Sequence, residues 1–163
     1  MALQKYTCES PFLLECGETL QGLEIAYHTY GKMNASGTNI IWVCHALTAN
    51  ADVADWWKGL VGEGCLINPD EYFIVCANMI GSCYGSTGPL SINIASHQPY
   101  YSNFPLVTIR DMVAAYILLR KHLRIETIQL LMGGSMGGYQ VLEWAVMEPS
   151  VIQQLFLIAT SPS

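Results

Sequence analysis

Charge is what this sequence has least of. Only 12% of its 163 residues are Asp, Glu, Lys or Arg, about half the ~25% usual in soluble domains. The 7 basic side chains are scattered and outnumbered by 13 acidic ones. No Lys/Arg cluster exists to neutralise phosphates, which excludes a nucleic-acid partner. Long apolar runs are missing as well: no stretch reaches the ~20 residues that span a bilayer. The opening residues Met1-Ala2-Leu3-Gln4-Lys5 hold no apolar signal core. A soluble, cytoplasmic protein with no membrane partner is expected. Cys8, Cys16, Cys44, Cys65, Cys76 and Cys83 contain no C-x-x-C pair, and the chain looks neither secreted nor small, so reduced thiols are expected rather than disulfides. His28, His45, His97 and His122 have no metal-ligand spacing, and no metal site is predicted.

What is present is apolar. Hydrophobic residues make up 52% of the chain, which excludes disorder. The length suits one domain with a real core. So few charges imply either much buried surface or a surface meant to be covered.

Leu23, Ile25, Tyr27 and Thr29 alternate with Glu24, Ala26 and His28, the pattern of a half-buried strand. Its partner is expected near Phe12–Glu15, across Cys16-Gly17-Glu18. Asn39 to Cys44 is a continuous apolar run, as is Glu71 to Asn78. Both read as strands buried on two faces of a parallel sheet. Asp55 to Val61 reads as a short helix, and Met79 to about Phe104 as a long loop of a length that is usually functional. Thr108 to Leu123 is a helix with a capping-box start, Thr108 then Asp111. Thr127–Met132 is a strand, Met136 to Glu148 a helix stopped by Pro149, and Val151 to Thr160 a last strand. Strands alternating with helices predict an α/β fold, a mostly parallel sheet with helices on both faces.

The chain is organised around Gly133-Gly134-Ser135-Met136-Gly137-Gly138. As a bare pattern, G-x-S-x-G fits either a Gly-rich turn with a structural Ser or a nucleophile elbow. Its place between a buried strand and a helix selects the elbow, with Ser135 as nucleophile. Gly133 and Gly137 would be small because strand and helix close on each other there. The helix directs its positive end at the site. In such a site one oxyanion N–H follows the nucleophile, here Met136. The other comes from the loop after the third strand, where Leu47 is the candidate. His45 in that loop is assigned a packing or supporting role, and His97 and His122 roles on a loop and a helix surface.

Several stretches together resemble the homoserine O-acetyltransferase family of α/β-hydrolases. They are Cys44-His45-Ala46-Leu47-Thr48, Asn78 to Pro89, Phe104-Pro105 with Thr108 to Val113, and Gly133 to Ala145. Tyr139, where Met is usual, and Ala49-Asn50 depart from the family pattern. The resemblance implies an O-acyltransferase of methionine biosynthesis. Ser135 would take an acetyl group from acetyl-CoA, the co-substrate, and pass it to the homoserine hydroxyl; no other cofactor is implied. A succinyl donor, a serine acceptor, a serine esterase on the same fold, and a non-catalytic fragment stay open. A homodimer is a further family expectation.

One absence bears on all of these. In this fold the acid and the base follow the nucleophile in the order Ser, Asp/Glu, His. The 28 residues after Ser135 hold Glu143 and Glu148 but no Asp and no His. Residues 1–163 are therefore expected to be the N-terminal part of a single α/β-hydrolase domain, truncated after about the sixth strand. The lid, the last strands and the triad Asp and His would be missing, leaving the chain alone nearly inactive and its final strand uncovered.

Overall fold

The structure, a computed structural model, describes residues 2–161. Its strands and helices run β1 (Gln4–Cys8), β2 (Phe12–Leu13), β3 (Thr19–Leu20), β4 (Leu23–Tyr30), β5 (Ile40–Cys44), α1 (Val53–Trp56), β6 (Phe73–Ala77), β7 (Ile92–Asn93), β8 (Gln98–Pro99), α2 (Ile109–His122), β9 (Leu130–Gly134), α3 (Met136–Met147) and β10 (Leu155–Ile158). Six strands form one sheet in the order β1-β4-β6-β5-β9-β10. The pairs β1–β4 and β4–β6 are antiparallel, and β5–β6, β5–β9 and β9–β10 are parallel.

β5 is the centre of the sheet, and all five of its residues are buried. Its alternate residues build the two cores. Ile40, Trp42 and Cys44 face one layer with Val75, Leu131, Tyr116 and Trp144. Ile41 and Val43 face the other with Val53, Ile67 and Cys76. Both long helices, α2 and α3, lie in the first layer. Trp42 and Trp144 meet edge to face there, 5.0 Å between ring centroids, a favoured aromatic geometry. The second layer holds only the single turn of α1 and the segment from Trp57 to Tyr72. Helices on both faces were expected, and the second face has one short helical turn.

α2 begins with the expected capping box: Asp111 N–H donates to Thr108 Oγ1 and Thr108 N–H donates to Asp111 Oδ2. Orphan amides of the first turn are satisfied in this way. Four other expectations need correction. The partner of β4 is β1 and not Phe12–Glu15; Phe12 and Leu13 pair instead with Thr19 and Leu20 in a small hairpin. β4 is not half-buried, because Ala26 and His28 are buried along with Ile25 and Tyr27. The helix expected over 55–61 is Val53–Trp56, and Gly59 (φ 85°) breaks any continuation. The loop 79–104 is not structureless: it carries the β7–β8 hairpin and a 3-10 turn over Tyr101–Asn103.

β10 occupies the sheet edge beside β9. Leu155, Phe156, Leu157 and Ile158 are 37–47% exposed there. The open apolar edge expected of the last strand is present.

Candidate active site

The parallel strands β5, β6 and β9 end on one side of the sheet, where α/β folds place their sites. β9 stops at Gly134 and α3 starts at Met136, so Ser135 alone makes the turn. Its backbone takes φ 52° and ψ −121°, a conformation that costs a non-glycine residue about 1–3 kcal/mol. Hydrogen bonds on both sides hold it: Ser135 N–H donates to Ile158 O (3.0 Å), and Ser135 O accepts from Gly138 N–H (2.9 Å). The side chain faces solvent, because Ser135 is exposed while Gly133 and Gly137 are buried.

The flanking glycines are required by contact. A Cβ on Gly137 would meet the carbonyl oxygen of Cys44 and lie 2.7 Å from its carbonyl carbon. A Cβ on Gly133 would meet the carbonyl oxygen of Gly137. Gly138, which sequence reasoning had not singled out, is closed off by Thr160, whose Cβ would stand 2.6 Å away. These approaches press the start of α3 onto the end of β5. The helix is 12 residues long, enough for a positive end beside Ser135.

That contact brings the loop after β5 to the elbow. Leu47 and Met136 line one cavity of about 540 Å³, with Met79, Phe104, Leu106 and Met112 among its other walls. Among the described residues, neither the Leu47 N–H nor the Met136 N–H finds an acceptor in the chain. Backbone donors left free beside a serine hydroxyl can take charge on a tetrahedral oxygen. Leu47 is exposed. His45, two residues earlier in the loop, is wholly buried. Its Nδ1–H donates to the Ala46 carbonyl (2.8 Å), which fixes the neutral tautomer with Nε2 unprotonated, buried and unpartnered. Burial pushes the His45 pKa down, against a smaller upward pull from that carbonyl.

The remaining candidates lie elsewhere. His97 sits exposed between β7 and β8. His122 ends α2 and packs on Tyr6, with ring centroids 4.6 Å apart. Glu143 binds Arg110 (2.6 Å), and Glu148 binds the buried Arg120 (2.9 Å). Both glutamates are thus engaged in ion pairs. Among the described residues no three His, Cys, Asp or Glu side chains converge to hold a metal ion.

Sequence reasoning gave Asn78 no separate role. It is 1% exposed and hydrogen-bonded to both loops of the site. The available signal was a single polar amide closing the apolar run of β6.

Comparison with known proteins matches residues 39–163 to the family described as alpha/beta hydrolase fold. The chain is 49% identical over 156 residues to the homoserine O-acetyltransferase of Trichormus variabilis, an alignment covering 96% of this chain and 44% of that protein. The crystal structure of homoserine O-acetyltransferase from Bacillus anthracis superposes with a TM-score of 0.89 at 28% identity, over 96% of this chain and 46% of that one. An acetylester hydrolase from Corynebacterium glutamicum superposes with a TM-score of 0.82 at 28% identity, over 94% and 43%. The chain thus spans a little under half the length of the relatives it matches.

Proposed function

Because this chain belongs to the alpha/beta hydrolase fold family, we propose that it holds the nucleophile and oxyanion elements of an acetyl-CoA:homoserine O-acetyltransferase. The observation that carries the reading is the strained Ser135 turn, clamped by Gly133 and Gly137, with the unpaired Met136 N–H next to it in the chain and the unpaired Leu47 N–H on the cavity that Met136 lines. Likeness to homoserine O-acetyltransferases along almost the whole chain supports the substrate pair.

In this reading Ser135 Oγ attacks the thioester carbonyl of acetyl-CoA and loses its proton to a base. The N–H groups of Leu47 and Met136 hold the oxyanion. When the tetrahedral intermediate collapses, the C–S bond breaks and CoA leaves as a thiol, taking the proton from the base. The homoserine hydroxyl then attacks the acetyl-enzyme, its proton goes to the same base and from there to Ser135 Oγ, and Ser135 is released. His45 is not that base: its free nitrogen is buried and its pKa is depressed by burial. In the chain order of this fold a base and its orienting acid follow the nucleophile, and this reading requires both; residues 136–163 contain no Asp and no His. The reading places the reaction in the cytoplasm, within methionine biosynthesis.

A second reading is ester hydrolysis, favoured by the superposition on an acetylester hydrolase and by the solvent exposure of Ser135. Water would then replace homoserine as acceptor. The test is full-length protein with acetyl-CoA, with and without homoserine, while free thiol and O-acetylhomoserine are measured. Thiol release that needs homoserine and is lost in Ser135→Ala supports transfer. Release of acetate at the same rate without homoserine supports hydrolysis, and release unaffected by Ser135→Ala refutes both.

A further inference from the structure

A buried amide side chain must find partners for its oxygen and its N–H groups. Asn78 does so by joining three separate segments. Its backbone N–H donates to Ala26 O on β4 (2.8 Å), and its backbone oxygen accepts from Ser86 Oγ (2.6 Å). Its side-chain Oδ1 accepts from the Ala51 N–H (2.7 Å), and Nδ2 donates to Tyr84 O (2.7 Å). Ala51 ends the segment that starts at His45 and carries Leu47. Tyr84 belongs to the loop that forms another wall of the cavity shared by Leu47 and Met136. Both walls are therefore held by the two ends of one amide.

The anchor lies where strand pairing stops. β4 and β6 pair as far as Tyr27 and Ala77. Beyond that point the loop takes over the free edge of β4: Thr87 N–H donates to Glu24 O (2.9 Å), and Ala26 N–H donates to Ser86 Oγ (3.0 Å). The 79–89 loop is thus fixed to the sheet, and Asn78 extends that fixity to the 45–52 segment. Another tie between the two, from Tyr84 Oη to Thr48 O, is exposed and 3.4 Å long. The other ties of the segment reach Tyr30, through Asp52 Oδ1, Trp56, through Asn50 O, and β6 itself, where Cys76 Sγ–H donates weakly to Asn50 O (3.9 Å).

We infer that Asn78 is a positioning residue, which fixes the Leu47 N–H relative to Ser135 by tying the 45–52 segment to the 79–89 loop. Its catalytic consequence rests on the acyl-transfer reading; its structural content does not. An oxyanion donor is effective only when held in place before charge develops. Asn78 never touches the substrate in this account.

The amide presents one acceptor and one donor, and this makes the inference testable by pH. In Asn78→Asp, an ionised carboxylate keeps the bond from Ala51 N–H but sets an oxygen against Tyr84 O. Once protonated, the introduced carboxyl donates to Tyr84 O and restores both bonds. Burial raises its pKa, so the change falls within reach of mild acid. The titratable groups facing this point are His28 of β4, Asp52 of the 45–52 segment and Tyr84 of the loop, which line the same small cavity as Asn78. Tyr116 of α2 reaches it through a bond to Ala77 O. All are shared by wild type and variants, so each pH is read as a ratio to wild type.

The experiment uses full-length wild type, Asn78→Ala and Asn78→Asp at about pH 5.5 and pH 8, the two sides of a raised carboxyl pKa. Hydrogen–deuterium exchange is followed in residues 46–52 and 82–86, with acetylation of Ser135 by acetyl-CoA as a second readout. Asn78→Ala should speed exchange on the order of tenfold in both segments at both pH values, with β5 and β6 unchanged. Asn78→Asp should match it at the higher pH and return toward wild type at the lower. The acetylation rate should fall about 10²-fold in the same pattern, with KM within about threefold of wild type. The inference is overturned if either segment keeps wild-type exchange, or if Asn78→Asp follows Asn78→Ala at both pH values. Should Asn78→Ala not fold, the two-pH comparison within Asn78→Asp decides alone. A wild type that takes no acetyl group refutes the acyl-transfer reading, while exchange still decides the positioning role.

Discussion

Replacing Gly137 by Ala adds one methyl group where α3 crosses the end of β5. The new Cβ would stand 2.7 Å from the Cys44 carbonyl carbon and 2.9 Å from His45 O, with ordinary contact beginning near 3.4 Å. The opposing atoms are backbone and cannot rotate away, and the Cys44 carbonyl oxygen lies nearer still, so α3 must back off by more than the ~0.7 Å that would clear the carbonyl carbon alone. Overpacking of this kind costs about 3 kcal/mol, the upper end of the usual range. Ala's helix preference over Gly returns about 1 kcal/mol. The net expectation is a loss of about 2 kcal/mol. A shift of this size at the first turn also displaces Ser135 and the Met136 N–H, which should slow phosphonylation by a fluorophosphonate roughly 10- to 100-fold. Gly134→Ala is the matched control. Its Cβ would meet only the Ile158 Cγ2 at 3.1 Å and Ile158 O at 3.6 Å, and the Ile158 side chain is exposed and free to turn. Its stability should stay within about 1 kcal/mol of wild type. Urea unfolding read through the buried Trp42 and Trp144 measures the first quantity, and labelling kinetics the second. Gly137→Ala indistinguishable from wild type, or Gly134→Ala equally damaged, would refute the contact argument.

Other perturbations test other parts of the molecule. Glu148→Ala strands the buried Arg120 guanidinium and the Trp144 indole N–H, both bound to that carboxylate; urea unfolding should show a loss of about 3–5 kcal/mol. Thr108→Ala removes the α2 cap and should cost about 1 kcal/mol by the same assay. His45 has a folded-state pKa lowered mainly by burial, so the unfolded chain binds the proton more readily. Its contribution to stability is complete above the unfolded pKa of ~6.5 and is lost as pH falls toward the folded value. His45→Gln should flatten the stability profile in that window, and an unchanged slope there would rule the assignment out. Lys at Phe156 should reduce self-association of the 163-residue chain in analytical ultracentrifugation, since it places charge on the open β10 edge.

The elements that sequence reading located well are those whose signal is local. Thr108 and Asp111 announce α2, and the apolar runs in β5 and β6 announce buried strands. The elbow is legible because two glycines, a serine and an apolar strand sit in consecutive positions. Register between distant segments carries no such mark. β1 has only Tyr6 and Cys8 to offer the core, with Lys5 paired to Glu24 on its outer face, and so the residue pattern favours a nearer segment as the partner of β4. The β7–β8 hairpin has two residues per strand, too few for any alternation to show. The helix over 55–61 was misplaced because Trp56 and Trp57 suggest an apolar stripe, whereas they stack on each other, centroids 5.1 Å apart, just before Gly59 turns the chain. Asn78 was missed because its partners, Ala51 and Tyr84, contribute backbone groups and so leave no pattern of residue types.

The position of β5 between β6 and β9 has a consequence for how the protein is made. β5 meets β6 across about thirty residues of chain, but meets β9 across about ninety, since Ile41 pairs with Leu130. Pairings over such distances are slow because loop closure precedes any gain from contact. During synthesis the β5–β6 pair can form while α2 is still inside the ribosome. The turn at Ser135 has to wait for β9, and its unfavourable backbone angle is enforced only when Gly137 seats against Cys44. The Ser135 turn therefore forms only after the β5–β6 part of the sheet that supports it is already in place.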